Sequence, residues 1–282
     1  MTNNQFSVDA LLPQDMALRA ENIGTRKAEL DFITTFMLAV LAGSFIGFGA
    51  IFATTVTTGA AALPYGVGRL LGGLVFCLGL ILVILAGAEL FTGNTLIVMA
   101  WAGRKVSTAR LLRNWGIVYL GNFVGSVALA VLMFFSRQYT QAGGAVGATA
   151  LTIANNKIQL GFIQATALGI VCNVLVCLAV WMQFGARSTT DKILAIVFPI
   201  SAFVAAGTEH SVANMYFIPI GLFIKQFDPA FVASVGMTDA VADLTWGAFL
   251  VNNLLPVTLG NIFGGAVMVA AVYWFIYLRG RS

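Results

Sequence analysis

The sequence predicts an all-α integral membrane protein with six crossings, arranged as an inverted three-helix repeat whose second and fifth helices are broken inside the membrane. Three observations carry this: a chain starved of charge, six long apolar segments, and paired polar interruptions that recur in both halves. Of 282 residues 59% are hydrophobic and only 9% charged; a soluble chain carries about 25% charged residues, so the side chains that would face water are missing. Disorder and collagen-like structure are excluded by the same figures. Thirty glycines suit close helix approach in a membrane. Cys77, Cys172 and Cys177 all lie in apolar runs, too few and wrongly spaced for a disulfide scaffold or a zinc cage.

Residues 1–31 are mixed in character, with Pro13 and the series Asp9, Asp15, Glu21, Glu29 and Asp31 around Arg19, Arg26 and Lys27. A cleaved signal peptide would start basic and turn apolar at once. The segment instead reads as an amphipathic helix on the cytoplasmic membrane surface. Apolar segments follow at Phe32–Thr57, Tyr65–Leu90, Leu111–Phe135, Ile158–Phe184, Ile193–Gly207 and Val251–Leu278, most reaching the roughly 20 residues that cross hydrocarbon. The fifth is short, but Val212–Ile224 follows Thr208-Glu209-His210 without a real loop, as Leu96–Trp101 follows Glu89-Leu90-Phe91-Thr92-Gly93-Asn94 in the second. Hence the two breaks. Residues 32–278 form one channel domain, with repeats at about 32–135 and 158–278 and a short tail at 279–282.

With a cytoplasmic N-terminus, Arg19, Arg26, Lys27, Arg104, Lys105, Arg110, Arg113, Arg187, Lys192, Arg279 and Arg281 share one side, 11 of the 15 basic residues. Arg69, Arg137, Lys157 and Lys225 fall on the other with Asp228, Asp239 and Asp243. The positive-inside rule thus places both termini in the cytoplasm. Topology explains the formal charge of +4, and no nucleic-acid partner is needed.

The repeat is visible in the residues. Gly87-Ala88-Glu89-Leu90-Phe91-Thr92-Gly93-Asn94 matches Gly207-Thr208-Glu209-His210-Ser211-Val212-Ala213-Asn214 at Gly, Glu and Asn. Later in each half, Asn114 with Leu120-Gly121-Asn122-Phe123-Val124-Gly125 parallels Asn253 with Leu259-Gly260-Asn261-Ile262-Phe263-Gly264. Three crossings per copy invert the second copy, the architecture of transporters whose broken helices meet near the midplane. Gly121/Gly125 and Gly260/Gly264 each put two small residues on one helix face, a packing device.

The one histidine, His210, sits beside Glu209 in the fifth break, with Glu89 equivalent in the second. Ionisable groups at that depth are costly and default to a pathway role. For the symmetric glutamates a scaffold role is preferred, accepting hydrogen bonds from backbone amides freed by the breaks. His210 has Leu90 as its counterpart, and that asymmetry favours a pathway role in which imidazole attracts a small anion and exchanges a proton with it. Thr92, Asn94 and Asn214 can offer hydrogen bonds or cap the broken ends, Asn173 could orient the ring, and half-helix N-termini favour an anion. Phe76, Leu80 and Phe203 are suited to apolar rings that gate by excluding water. A bare anion pays heavily to lose its hydration, whereas a protonated weak acid does not. A small monovalent weak-acid anion is therefore the expected solute, with protons as its partner and no cofactor or metal.

At these residues the sequence resembles the formate/nitrite transporter family, and within it the formate channels. The likeness runs through Leu12-Pro13, Gly87-Ala88-Glu89-Leu90-Phe91-Thr92, Gly121-Asn122, Glu209-His210-Ser211, Asn214-Met215 and Asn252-Asn253-Leu254-Leu255-Pro256-Val257-Thr258-Leu259-Gly260-Asn261. It implies an aquaporin-like six-helix protomer in the lipid of a bacterial inner membrane, five of them in a ring, each with its own pore for formate or a similar anion. It places Thr92 on a mobile loop facing His210, Leu80, Leu90, Phe91 and Val176 at the inner narrowing, and Phe76 with Phe203 at the periplasmic one. Lys157, otherwise an ordinary solvent-facing charge, would draw anions to the periplasmic mouth, with Asn173 and Asn261 supporting the central hydrogen bonds. A nitrite or hydrosulfide channel of the same fold is the alternative. A membrane enzyme lacks a nucleophile with its base or a ligand set, and a water or glycerol pore would show twin Asn-Pro-Ala strings, which are absent.

Overall fold

A computed structural model describes residues 10–280. Asp9 and Arg281 of the charge series lie outside the described residues, as do the outer ends of both terminal segments. The described chain is all helix and turn. Its elements are α1 (Pro13–Glu29), α2 (Phe32–Thr57), α3 (Tyr65–Ala86), α4 (Phe91–Ala102), α5 (Thr108–Phe135), α6 (Ala145–Ile158), α7 (Phe162–Gly185), α8 (Thr189–Ala205), α9 (Ser211–Phe227), α10 (Pro229–Ser234) and α11 (Trp246–Tyr277).

Helices α2, α3, α5, α7 and α11 are each long and apolar enough to cross a bilayer, and α8, at 17 residues, is continued past its break by α9. Large apolar side chains face outward, among them Ile33, Phe135, Ile163 and Phe198. Water would penalise such a surface; lipid does not. The termini of the elements are locally encoded. Asp31 accepts the Thr34 amide to start α2, Ser107 accepts that of Arg110 to start α5, and Ser188 with Asp191 forms a capping box on α8.

Both breaks fall where a glycine turns left-handed. Gly87 (φ 79°) ends α3 and Gly207 (φ 74°) ends α8, each followed by an amide that reaches back five residues, Ala88 to the Val83 carbonyl and Thr208 to that of Phe203. A side chain would strain that turn. The second crossing accordingly stops as a helix at Ala86, short of Leu90, and restarts at Phe91. The expected fourth crossing, Ile158–Phe184, starts only at Phe162, since Ile158 closes a separate helix, α6. Thr149, Thr152, Asn155 and Asn156 interrupt the apolar run of α6, which hid it from a hydropathy reading.

The α1 segment is tied down. Met16, Ala17, Ala20 and Gly24 are buried, a Cβ on Gly24 would come within 3.3 Å of Ile97 and 3.4 Å of Ala100 of α4, and Arg19 donates to the Phe184 carbonyl of α7 at 3.0 Å. It stands to α4 as α6 stands to α9. Lys27-x-x-Leu30-x-Phe32-Ile33 matches Lys157-x-x-Leu160-x-Phe162-Ile163, which extends the sequence likeness of the halves back into this helix.

The paired glycines set the helix spacing. A Cβ on Gly125 would strike the Val40 carbonyl of α2, and one on Gly264 the Ile170 carbonyl of α7. Interiors this close do not absorb a methyl group without backbone movement, at about 1–3 kcal/mol. Gly264→Ala is expected to lower stability by that amount in detergent thermal unfolding. Gly116→Ala, whose new methyl would meet open space on α5, is the control expected to be neutral or better.

Candidate functional site

Each break is held by a polar network, and the two networks are nearly superimposable in chemistry. In the first, Lys27 Nζ donates to Glu89 Oε1 at 2.8 Å and to Asn94 Oδ1 at 2.9 Å, while Asn94 Nδ2 donates to Glu89 Oε2 at 2.7 Å and to Asn114 Oδ1 at 3.0 Å. In the second, Lys157 Nζ donates to Glu209 Oε1 at 2.8 Å, and Asn214 Nδ2 donates to Glu209 Oε2 at 2.6 Å and Asn253 Oδ1 at 2.7 Å. Asn114 and Asn253 close the loops by donating to the Lys27 and Lys157 carbonyls. The glutamates therefore do not accept the freed backbone amides, as the sequence reading expected; their charge is met by lysine, which a carboxylate at this depth requires.

The freed backbone is satisfied by two other asparagines. Asn122 Oδ1 accepts the Phe91 amide and its Nδ2 donates to the Ala39 and Glu89 carbonyls; Asn261 Oδ1 accepts the Ser211 amide and its Nδ2 donates to the Gly169 and Glu209 carbonyls. A side-chain amide offers both an acceptor oxygen and two donor hydrogens in one rigid group, so one residue can stitch both strands of a break.

Between the breaks lies a contact that the repeat does not duplicate. His210 Nδ1 accepts the Ala213 amide at 3.0 Å, capping α9, and Nε2 meets Thr92 Oγ1 at 2.9 Å. Because Nδ1 must present its lone pair to that amide, the proton of the neutral ring sits on Nε2 and is donated to Thr92. The Thr92 carbonyl is in turn fixed by Thr95 Oγ1 at 2.6 Å, by Asn173 Nδ2 at 3.3 Å and by Cys177 Sγ at 3.4 Å.

Two cavities approach this centre from opposite faces. One, of about 210 Å³, lies between α1 and the first break and is lined by Lys27, Glu89, Leu80 and Leu90. The other, of about 240 Å³, lies beside α6 and is lined by Arg69, Lys157, Glu209, Phe76, Phe203 and His210. A chamber of only about 10 Å³, bounded by Phe76, Leu80, Leu90, Val176, Phe203 and His210, separates them. That is about the space of one water molecule, so the two cavities are not joined through this chamber, and His210 stands between it and the larger cavity. The Phe76 ring meets that of Phe203 edge-on at 5.6 Å, and Phe203 lies against the His210 ring at 5.9 Å.

A pore closed by two apolar rings around a lone histidine, with mirrored broken helices, matches a known kind of membrane channel. Residues 14–275 match the family model described as formate/nitrite transporter. The chain belongs to the formate/nitrite transporter family. It is 45% identical over 273 residues to the formate channel FocA of Escherichia coli strain K12, covering 96% of each chain, and 44% identical over 269 residues to FocA of Haemophilus influenzae, covering 95% of each. Among solved structures it is similar to a pentameric formate channel with formate bound (TM-score 0.83, 50% identity, 88% of this chain and 98% of that one) and to an FNT family ion channel (TM-score 0.79, 30% identity, 93% and 98%). As in the rest of its family the function is transport rather than catalysis, and the protein is a multi-pass component of the bacterial inner membrane.

Within this family member most sequence-predicted residues converge. Phe76, Leu80, Leu90, Val176 and Phe203 ring the central chamber with His210, and Thr92 faces His210 while itself wholly buried. Phe91 is not among the residues lining this chamber, and its ring packs against Trp115 and Tyr119 with centroids 6.1 and 4.8 Å off. Asn173 directs its hydrogen bonds not to the histidine ring but to the Thr92 and Asn261 carbonyls, the latter at 2.6 Å. Lys157 is no solvent-facing charge: its side chain is 16% exposed and paired to Glu209. Sequence reasoning did not assign site roles to Lys27, Asn114, Asn122 or Asn253, although the repeated asparagine spacing and the Lys27/Lys157 match were available to find them.

Proposed function

We propose that this protein is a formate channel of the bacterial inner membrane, in which His210 takes up a proton at Nδ1 in place of the Ala213 amide, hands its Nε2 proton to formate and returns to neutral while formate crosses the two apolar rings as its neutral acid. Both termini face the cytoplasm in this reading, so the α1-side cavity is cytoplasmic and the α6-side cavity periplasmic. The distribution of basic residues supports that orientation. Five protomers assemble in a ring, by analogy with the similar pentameric formate channel.

The observation that carries the reading is the 2.9 Å Thr92–His210 contact inside an otherwise apolar plug. An anion that loses water between phenylalanine and leucine side chains has nothing to replace its hydration, and the energetic cost is many kcal/mol. Taking up a proton removes that cost. Among the described residues His210 is the one polar residue that lines the central chamber, and Thr92 is the hydrogen-bond partner of its Nε2. The protonated substrate then needs only a small outward shift of Leu80, Leu90, Phe76 or Phe203 to pass.

The test is flux into proteoliposomes holding the purified protein, with formate, nitrite, lactate and hydrosulfide in competition across a pH series. Saturable formate entry is expected, rising as external pH falls and accompanied by internal acidification. Formate movement that is independent of pH, or outcompeted by nitrite at far lower concentration, overturns the assignment.

A further inference from the structure

The periplasmic cavity carries a cation that the paired networks do not account for. Arg69, on the first turns of α3, lines both that cavity and a shallower depression of about 640 Å³ leading outward past Thr57, Leu63 and Thr149. Its Nε donates to the Ala205 carbonyl at 2.9 Å and its Nη2 to the Val204 carbonyl at 2.5 Å, at the end of α8 where Gly207 leaves room for the guanidinium. A guanidinium has five N–H donors, so three are not used by these two carbonyls, and Arg69 lines the cavity. None of the salt bridges among the described residues includes Arg69.

The charge balance of the two cavities differs as a result. On the cytoplasmic side Lys27 and Glu89 are the charged lining residues and cancel. On the periplasmic side Lys157 and Glu209 cancel in the same way, and Arg69 remains. The carbonyl end of α8 contributes about half a negative charge, which offsets part of the guanidinium but not all. By the repeat, Arg69 corresponds to Thr189, so the cation has no inverted twin.

We propose that Arg69 is the anion-capturing residue of the periplasmic mouth, and that Lys157, neutralised by Glu209, is a positioning residue of the second break. This deepens the channel reading above and rests on it for the identity of the solute. Capture by a single uncancelled charge raises the local anion concentration at one mouth only. The protein is thereby asymmetric: monovalent anions enter at lower concentration from the periplasmic face than from the cytoplasmic face. A point charge does not distinguish formate from nitrite, so the effect extends to both.

The test compares the unaltered protein with Arg69→Gln and Arg69→Lys in right-side-out and everted membrane vesicles, reading formate and nitrite entry against concentration at low and high salt. Arg69→Gln is expected to raise the half-saturating concentration about 5-fold from the periplasmic side at low salt, the effect of one unit charge at about 4 Å in a water-like medium. Entry from the cytoplasmic side is unchanged, the difference vanishes near 1 M salt where screening acts within about 3 Å, and Arg69→Lys retains the original half-saturation. Unchanged half-saturation in Arg69→Gln overturns the proposal. So does an equal fall in maximal flux for both variants, which shows a helix staple only. If the unaltered protein carries nitrite but not formate, the formate assignment fails while the Arg69 comparison is decided on nitrite.

Discussion

Replacing His210 with Phe is expected to abolish proton-coupled formate flux, a loss of roughly 10²-fold or more, the contribution typical of a positioned acid–base group. The ring contributes two separable things. Nε2 faces Thr92 in the plug and supplies the proton site; Nδ1 accepts the Ala213 amide and caps α9. Phe removes both, and the lost cap alone costs about 1 kcal/mol. His210→Asn separates them, since its side-chain carbonyl can still accept an amide at the N-cap while the group does not titrate near neutral pH. Thermal unfolding close to that of the unaltered protein, together with no internal acidification during formate addition, is expected for Asn. If an entrapped pH dye reports unchanged acidification in both variants, the proton passes elsewhere and the relay fails.

Glu209→Gln carries the largest expected stability effect, a loss of about 3–5 kcal/mol, because it strips the partner from a largely buried ammonium. Glu209 Oε1 faces Lys157 and Oε2 faces the Nδ2 groups of Asn214 and Asn253, all of them donors. A glutamine must turn its own NH₂ toward one of those donors, so a repulsive contact is added to the lost charge. The first network gives the internal comparison. Lys27 is 29% exposed against 16% for Lys157, so water can rescue it better and Glu89→Gln is expected to cost less. Removing the orphaned charge as well, in Glu209→Gln with Lys157→Met, is expected to recover part of the loss. Unfolding temperature in detergent decides it: a change for Glu209→Gln below about 1 kcal/mol, the scale of an exposed pair, sinks the account.

Both outcomes turn on how a membrane interior amplifies polar groups, and that same amplification is why so much could be read from the chain. Charge is so scarce here that Glu89, Glu209 and His210 stand out by position alone. The breaks were legible because Gly–x–Glu and a following Asn recur at one spacing, and a glycine is needed wherever α3 and α8 turn left-handed. The helix-packing glycines were legible because a three-residue gap puts Gly121 and Gly125, or Gly260 and Gly264, on one face. What hydropathy could not show was α6, whose threonines and asparagines break its apolar run, nor the anchored position of α1 against α4.

The partners of each polar group were not legible, because they are contributed from far along the chain. Glu209 reaches back 52 residues to Lys157 and forward 44 to Asn253, and Thr92 lies 118 residues from His210. Pattern within a helix says which face is apolar but not which neighbour that face meets, so the packing of the Phe91 ring on Trp115 and Tyr119 could not be read from the chain. Likewise Lys157 read from sequence alone as an ordinary solvent-facing charge, with an anion-drawing role implied only by the family resemblance, and its pairing with Glu209 beside Arg69 is visible only in the structure. Composition and repeat by themselves determined a six-crossing inverted membrane protein with a histidine at its centre, since burying charge in hydrocarbon is costly wherever it occurs. Which charges cancel, which amides each asparagine satisfies and how tightly the plug closes were decided by tertiary structure alone, because those energies depend on distances of a few ångströms between residues that the chain itself keeps far apart.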